Sequence, residues 1–258
     1  MKRFHISTAI VAGLILLVLF VPLVEPVQLP LVVLVLFLYG ILLVYGASQI
    51  DSQFFVPTFC REGGDKSRGK IAITFDDGPC GEHSEKILEL LQKFDCRASF
   101  FLIGNSAKMH PEIVKTMVNR GHLIGNHSFS HSNFFPLFRS ARIRREVEEC
   151  NRLLEEAGSG PVRFFRPPFG VTNPNIARGL KDSRMDVAGW SIRSFDTQNH
   201  AAHKVMKRIS KKMGGGEVIL LHETSEYILE ILELLLPAIA EAGLSCVTLD
   251  EMFDSKAK

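Results

Sequence analysis

Residues 70–79 read KIAITFDDGP: an apolar, β-branched run, then two carboxylates, then a Gly-Pro break. The run predicts a strand over 70–75, and Gly78-Pro79 forces the chain to turn as soon as that strand ends. Ile87, Leu88, Leu90, Leu91 and Phe94 then recur at helical spacing, so the strand feeds an amphipathic helix. A strand, a sharp turn and a helix make one unit of an α/β fold.

The unit repeats toward the C-terminus. Strands are predicted at 98–103 (ASFFLI), near 122–125, and at 162–165, 185–190, 217–221 and 245–249. Helices are predicted over 111–119, ended by Gly121, and along the face Ile143, Val147, Cys150, Leu154 and Ala157, ended by Gly158. Further helices are predicted over 174–182, 201–212 and 226–241. This alternation implies a mainly parallel sheet covered by helices. Seven or so such units close more readily as a barrel than they lie open, and chemistry in a barrel collects where the strands end at their carboxyl side.

The 258 residues are 46% hydrophobic, with 30 Lys plus Arg against 28 Asp plus Glu. That excludes a disordered tail and a basic nucleic-acid footprint, so no nucleic-acid partner is expected. A mean hydropathy of +0.14 is high for a wholly soluble chain, and the excess sits at the front. Residues 4–24 and 26–50 form runs of 21 and 25 positions without Asp, Glu, Lys or Arg. Each can cross a hydrocarbon core as a helix, which predicts two spans within residues 1–50, at 4–24 and 27–49. Pro22, Pro26 and Pro30 cluster around Glu25, where a hairpin would turn. No A-x-A site follows, against a cleaved leader. Lys2 and Arg3 precede the first run, and Arg61, Lys66, Arg68 and Lys70 follow the second. The positive-inside rule then places both ends in the cytoplasm of a multi-pass inner-membrane protein, although a translocated domain is an open alternative.

Residues 51–69, with the polar, glycine-bearing REGGDKSR at 61–68, read as a linker to one domain over 70–258. Cys60, Cys80, Cys96, Cys150 and Cys246 are odd in number and form no C-x-x-C, so they read as reduced thiols.

The chemistry-bearing residues fall at the predicted strand ends. Asp76-Asp77 closes the first strand. One carboxylate can bind a cation while the other stays free to take a proton, or the pair can simply stabilise the turn. His127-Ser-Phe-Ser-His131 follows the strand near 122–125, and histidines four apart on one face of a helical turn can reach a single ion. With one carboxylate they form a three-ligand set that leaves room for water, suited to zinc and also to Fe(II), Co(II) or Ni(II). Arg166-Pro-Pro-Phe-Gly170 follows the apolar VRFF, and such a stiff loop can hold a backbone N–H at a developing oxyanion. Leu220-Leu221-His222 delivers an imidazole at the end of another strand. His200, His203 and Lys211-Lys212 read as surface positions, and Cys80 as a packed thiol.

In this order TFDDGP at 74–79, HSFSH at 127–131, RPPFG at 166–170 and LLH at 220–222 make the chain resemble the polysaccharide deacetylases of carbohydrate esterase family 4, of the chitooligosaccharide deacetylase type. The resemblance covers about residues 70–250 and none of the N-terminal runs. It implies a distorted, incomplete (β/α) barrel of seven or eight units with one divalent metal, zinc foremost, in its mouth. It makes Asp76 the general base, gives the metal to Asp77, His127 and His131, and makes His222 the general acid. Arg166 matches the arginine that holds the base, and Phe169, in place of a common tyrosine, lies where an amide meets the oxyanion. Trp190 and Leu220 match the groups that shape the pocket for the acetyl methyl. The implied reaction removes an N-acetyl or similar small acyl group from an amino-sugar glycan or a lipid-linked sugar. The rival expectations are an O-acetyl esterase and a catalytically silent carbohydrate-binding relative, and no protein partner is expected.

One departure stands out. The family's D-x-x-D-W stretch reads Arg193-Ser-Phe-Asp196-Thr197, with the first carboxylate, expected to support the acid, replaced by a cation. Either Asp196 or Glu223 compensates, or Arg193 points away and binds an anionic substrate group; a lipid-diphosphate sugar would present such a group to an arginine.

Overall fold

The computed structural model describes residues 1–20, 25–198 and 201–253. The chain opens with two helices, α1 (Lys2–Phe20) and α2 (Glu25–Ser48), both long and apolar enough to cross a membrane and neither burying its apolar window. They pack on each other, with Thr8 Oγ1 2.6 Å from Tyr39 OH. The turn at Pro22 lies outside the described residues. Pro26 and Pro30 fall inside α2 rather than before it; Pro26 sits in the first turn, where N–H groups have no helical partner to lose.

The remainder alternates as the periodicity predicts. Strand β1 (Lys70–Gly78) leads into α3 (Glu82–Lys93), and β2 (Ser99–Leu102) into α4 (Gly104–Met109) and α5 (Pro111–Asn119). Next come β3 (Leu123–Asn126), α6 (Ser140–Glu156), β4 (Phe164–Phe165), α7 (Pro174–Gly179) and β5 (Asp186–Val187). The chain closes with β6 (Ile192–Arg193), α8 (Ala202–Ser210), β7 (Val218–His222), α9 (Ile228–Glu241), β8 (Ser245–Cys246) and α10 (Leu249–Phe253).

All strand pairs are parallel, in the order β5-β4-β3-β2-β1-β7-β6, with β8 beside the start of β1. Among the described residues β5 and β6 do not pair, so the barrel is incomplete. Alternation along the central strands sorts the side chains. Ile71, Ile73 and Phe75 of β1, with Ile219 and Leu221 of β7, pack into the large outer core with α3 and α9. Ala72 and Val218 face inward with Phe101 and Phe164. Burying this apolar surface is the main stabilising term, at roughly 25 cal/mol per Å².

Residues 51–69 are not a free tether. Phe54, Phe55, Val56 and Cys60 are buried, and the segment crosses the barrel opening. Phe59 bridges to Ala188 beside β5, and Arg61 bridges to Glu217 beside β7. The polar stretch at 61–68 concealed this, because the apolar residues of 54–60 pack into the protein and backbone hydrogen bonds such as Phe59 N–H to Val187 O at 2.8 Å join them. The hairpin is fastened too. Thr172 donates from N to Ala47 O at 3.0 Å and from Oγ1 to Gly46 O at 3.2 Å. The thiols of Cys96 and Cys246 lie 2.8 Å apart although they are 150 positions apart in sequence.

Candidate active site

Register brings the first two chemical groups together. Asp76 of β1 pairs with His222 of β7, so strand alternation points both inward on adjacent strands. A bulge between Asp76 and Gly78 interrupts the ladder, and Asp77 adopts φ 71°. This irregularity lets consecutive carboxylates face one pocket, which regular alternation forbids.

Arg166, fully buried, fixes Asp76. Its Nη1 donates to Asp76 Oδ1 at 2.7 Å and to Thr74 Oγ1 at 2.9 Å, and Nη2 donates to Gly189 O at 2.8 Å. The guanidinium lies 4.0 Å over the Phe101 ring. A buried charge requires such pairing.

Asp77, His127 and His131 offer ligand atoms within 4.8 Å of one another. Asp77 Oδ1 lies 3.5 Å from His127 Nε2 and 3.4 Å from His131 Nε2. The histidines do not share a helical face. Residues 127–131 form a loop in which Ser128 has φ 66° and His131 φ 45°, and the chain doubles back to bring the rings to 4.7 Å. Glu146 of α6 braces that loop by accepting from Ser130 N at 2.8 Å and from its Oγ at 2.9 Å.

The donor set fits a divalent cation. His127 Nδ1 donates to Arg166 O at 2.8 Å, which leaves Nε2 as the lone-pair side. Burial, reinforced by His131, pushes the His127 imidazole down to about 3, so it is neutral. Asp77 Oδ1 is buried without a hydrogen-bond partner among the described residues. A lone pair and a carboxylate oxygen thus face each other with no proton between them, an arrangement that a cation relieves. Two imidazoles and one carboxylate, with positions left open, suit zinc in a catalytic role.

Opposite, Asp196 supports His222. Nδ1 of His222 donates to Asp196 Oδ1 at 2.8 Å, and Asp196 Oδ2 accepts from His222 N at 2.8 Å. Burial lowers the His222 pKa, but the Asp196 hydrogen bond and charge, helped by Asp76 and Asp77, more than offset it, and the imidazolium is favoured overall. The carboxylate at the second position of the D-x-x-D stretch therefore does what was expected of the first. Arg193 is exposed and stacks at 4.7 Å over Phe195 and 5.7 Å over Trp190. Phe169 (φ 62°), Trp190 and Leu220 line the same pocket of about 290 Å³ as the carboxylates and histidines. Gly170 allows the close fit there, since a Cβ would meet the Trp190 ring at 2.2 Å.

Residues 63–188 match the family model described as Polysaccharide deacetylase. A peptidoglycan-N-acetylglucosamine deacetylase of Bacillus cereus is 34% identical over 200 residues, covering 74% of this chain and 71% of that protein. The chain belongs to the polysaccharide deacetylase family. This polysaccharide deacetylase also superposes on the crystal structure of the Bc1960 peptidoglycan N-acetylglucosamine deacetylase with a TM-score of 0.70 and 30% identity, covering 74% of this chain and 91% of that one. It resembles BA3943 of Bacillus anthracis, a carbohydrate esterase family 4 pseudoenzyme, with a TM-score of 0.68 and 28% identity over 76% of this chain and 68% of that one. It spans 40% of the length of the Bacillus subtilis peptidoglycan-N-acetylmuramic acid deacetylase PdaC, at 27% identity.

One residue of this deacetylase's site escaped sequence reasoning, and Glu223, weighed beside Asp196 as the support of His222, bonds Ser84 instead. Glu146 looked like one more acidic residue of an amphipathic helix, and only its fold-dependent reach to Ser130 distinguishes it. Glu223, fully buried, accepts from Ser84 Oγ, while its Oε1 lacks a partner among the described residues. Burial pushes its carboxyl up to about 8, with Asp77 and Asp76 adding to the shift and Ser84 opposing it. His203 is exposed on α8, as expected, and His200 lies outside the described residues.

Proposed function

We propose that the chain is a metal-dependent deacetylase that hydrolyses the N-acetyl, or a similarly small acyl, amide of an amino sugar. One observation carries the reading. Asp76, outside the three-ligand cluster but 3.7 Å from His127 Nε2, is held by Arg166 and faces His222 on the neighbouring strand with Asp196 behind it. Pure binding needs no such base and acid around a metal site, which argues against the silent alternative.

A divalent ion held by Asp77, His127 and His131 would supply Lewis acidity to the amide oxygen and to a water molecule. Asp76 takes the proton of the attacking water, and Arg166 keeps its carboxylate in place. The Phe169 amide, on the rigid Pro-Pro loop, serves the developing oxyanion. His222, held charged by Asp196, protonates the leaving amine. Trp190 and Leu220 wall the space for the acyl methyl. Acid and base catalysis contribute roughly 10² to 10⁴ each, so amide cleavage needs both.

The exposed apolar faces of α1 and α2 support anchoring in a membrane, and the basic residues at both flanks favour a cytoplasmic domain in the inner membrane. The test is acetate release by the metal-loaded full chain from N-acetylglucosamine oligomers and matched O-acetyl esters. Amide turnover that disappears in Asp76→Asn and His222→Ala supports the proposal. Ester turnover alone, or amide turnover that survives Asp76→Asn, refutes it.

A further inference from the structure

A second cleft, of about 300 Å³, adjoins the catalytic pocket on the side where α2 ends. Trp190, Arg193 and Phe195 line both spaces, so the two adjoin along these side chains. Arg208 and Lys212 bring the cations that line this cleft to three, against one carboxylate, Asp51. Arg193 and Arg208 both lie over the Phe195 ring, at 4.7 and 4.9 Å. Arg208 also donates to Ser194 O, which fixes its guanidinium. Among the described residues none of the three cations forms an ion pair. Three cations lining one cleft against a single carboxylate leave it an excess of positive charge, which an anion bound there offsets.

Resting on the deacetylase reading, we propose that this cleft binds the phosphate of a lipid-borne sugar phosphate whose 2-acylamido group enters the catalytic pocket. In such a sugar the amide and the anomeric phosphate sit on adjacent ring carbons. Two adjoining spaces that share lining residues suit one sugar bearing both groups, and a neutral glycan, whose hydroxyls accept hydrogen bonds, brings no charge to offset three cations. The lipid assignment comes from the floor of the cleft, residues 48–51, which continue directly from the last turn of α2. A phosphate held there lies where the apolar helix ends, at the level of a lipid headgroup.

Trp190 is the chain's one tryptophan and lines both spaces, so its emission reports binding without turnover. Metal-free full chain in detergent micelles is titrated with polyprenyl-phosphate N-acetylglucosamine, with N-acetylglucosamine 1-phosphate and with neutral N,N′-diacetylated chitobiose. The lipid-borne phosphate is expected to bind most tightly. Lys212→Ala and Arg193→Ala each weaken both phosphate ligands about tenfold relative to chitobiose, as loss of one charged contact predicts. Unchanged dissociation constants in both variants, or chitobiose binding as tightly as the phosphates, overturn the subsite. Equal affinity for the soluble and lipid-borne phosphates overturns the lipid assignment. Failure of the deacetylase reading is seen separately: metal-loaded protein releases no acetate, while the phosphate titrations still saturate and still respond to the variants, which upholds the subsite.

Discussion

Replacing Asp196 by Asn keeps the shape beside His222 and removes the charge. His222 Nδ1 lies 2.8 Å from Asp196 Oδ1, and Asp196 is fully buried, so solvent screens this contact little. A hydrogen bond to a charged group contributes about 1.5–3 kcal/mol. At about 1.4 kcal/mol per unit, its loss lowers the His222 pKa by roughly one to two units. The sign follows from the role. A general acid must be protonated, so activity is lost as pH rises through its pKa, and a lowered pKa moves that loss to lower pH. The assay is kcat/KM for acetate release measured across pH with saturating zinc. Asp196→Asn is expected to shift the alkaline limb toward acid by about one to two units and to leave the acid limb in place. A uniform fall at every pH, with the alkaline limb unmoved, would refute a role for Asp196 in tuning His222.

Asp77→Ala, His127→Ala and His131→Ala should each lose stoichiometric zinc by elemental analysis while keeping the far-ultraviolet circular dichroism of the parent; zinc retained in Asp77→Ala would remove that residue from the ligand set. Arg166→Met strands a buried carboxylate at Asp76 and should cost about 3–5 kcal/mol in denaturant unfolding, part of which Asp76→Asn restores in the double variant. Glu223 keeps its proton in the folded protein up to about pH 8, whereas the unfolded chain releases it near 4.5. Stability therefore falls as pH rises between those values, and Glu223→Gln should flatten the melting temperature of the metal-free protein over that window. An unchanged slope would mean that Glu223 does not titrate there.

The long apolar strands and the amphipathic helices could be read from the chain because period is a local property. β1, β2, β3 and β7 each carry enough residues to show it. β6 is two residues long, Ile192–Arg193, and its apolar partner sits at Ile219 on a strand remote in sequence. Residues 245–249 read as one strand, yet Leu249 begins α10, because pairing with β1 stops at Cys246. The motif residues were legible by type, but not the means that brings them together. Asp77 is turned by a bulge and His131 by left-handed backbone, neither of which has a spacing signature. The sequence left Asp196 and Glu223 both open as the carboxylate beside His222 for a similar reason, since which one reaches it depends on where β6 ends.

The grip of Thr172 on the final carbonyls of α2 removes slack between the anchor and the reaction chamber. An enzyme mounted this way, with its hairpin in a bilayer, samples a thin layer at constant height rather than a volume. Turnover of the lipid-borne substrate proposed above would then track its surface density in the same leaflet, and diluting it with inert lipid would slow turnover while the bulk concentration stays the same.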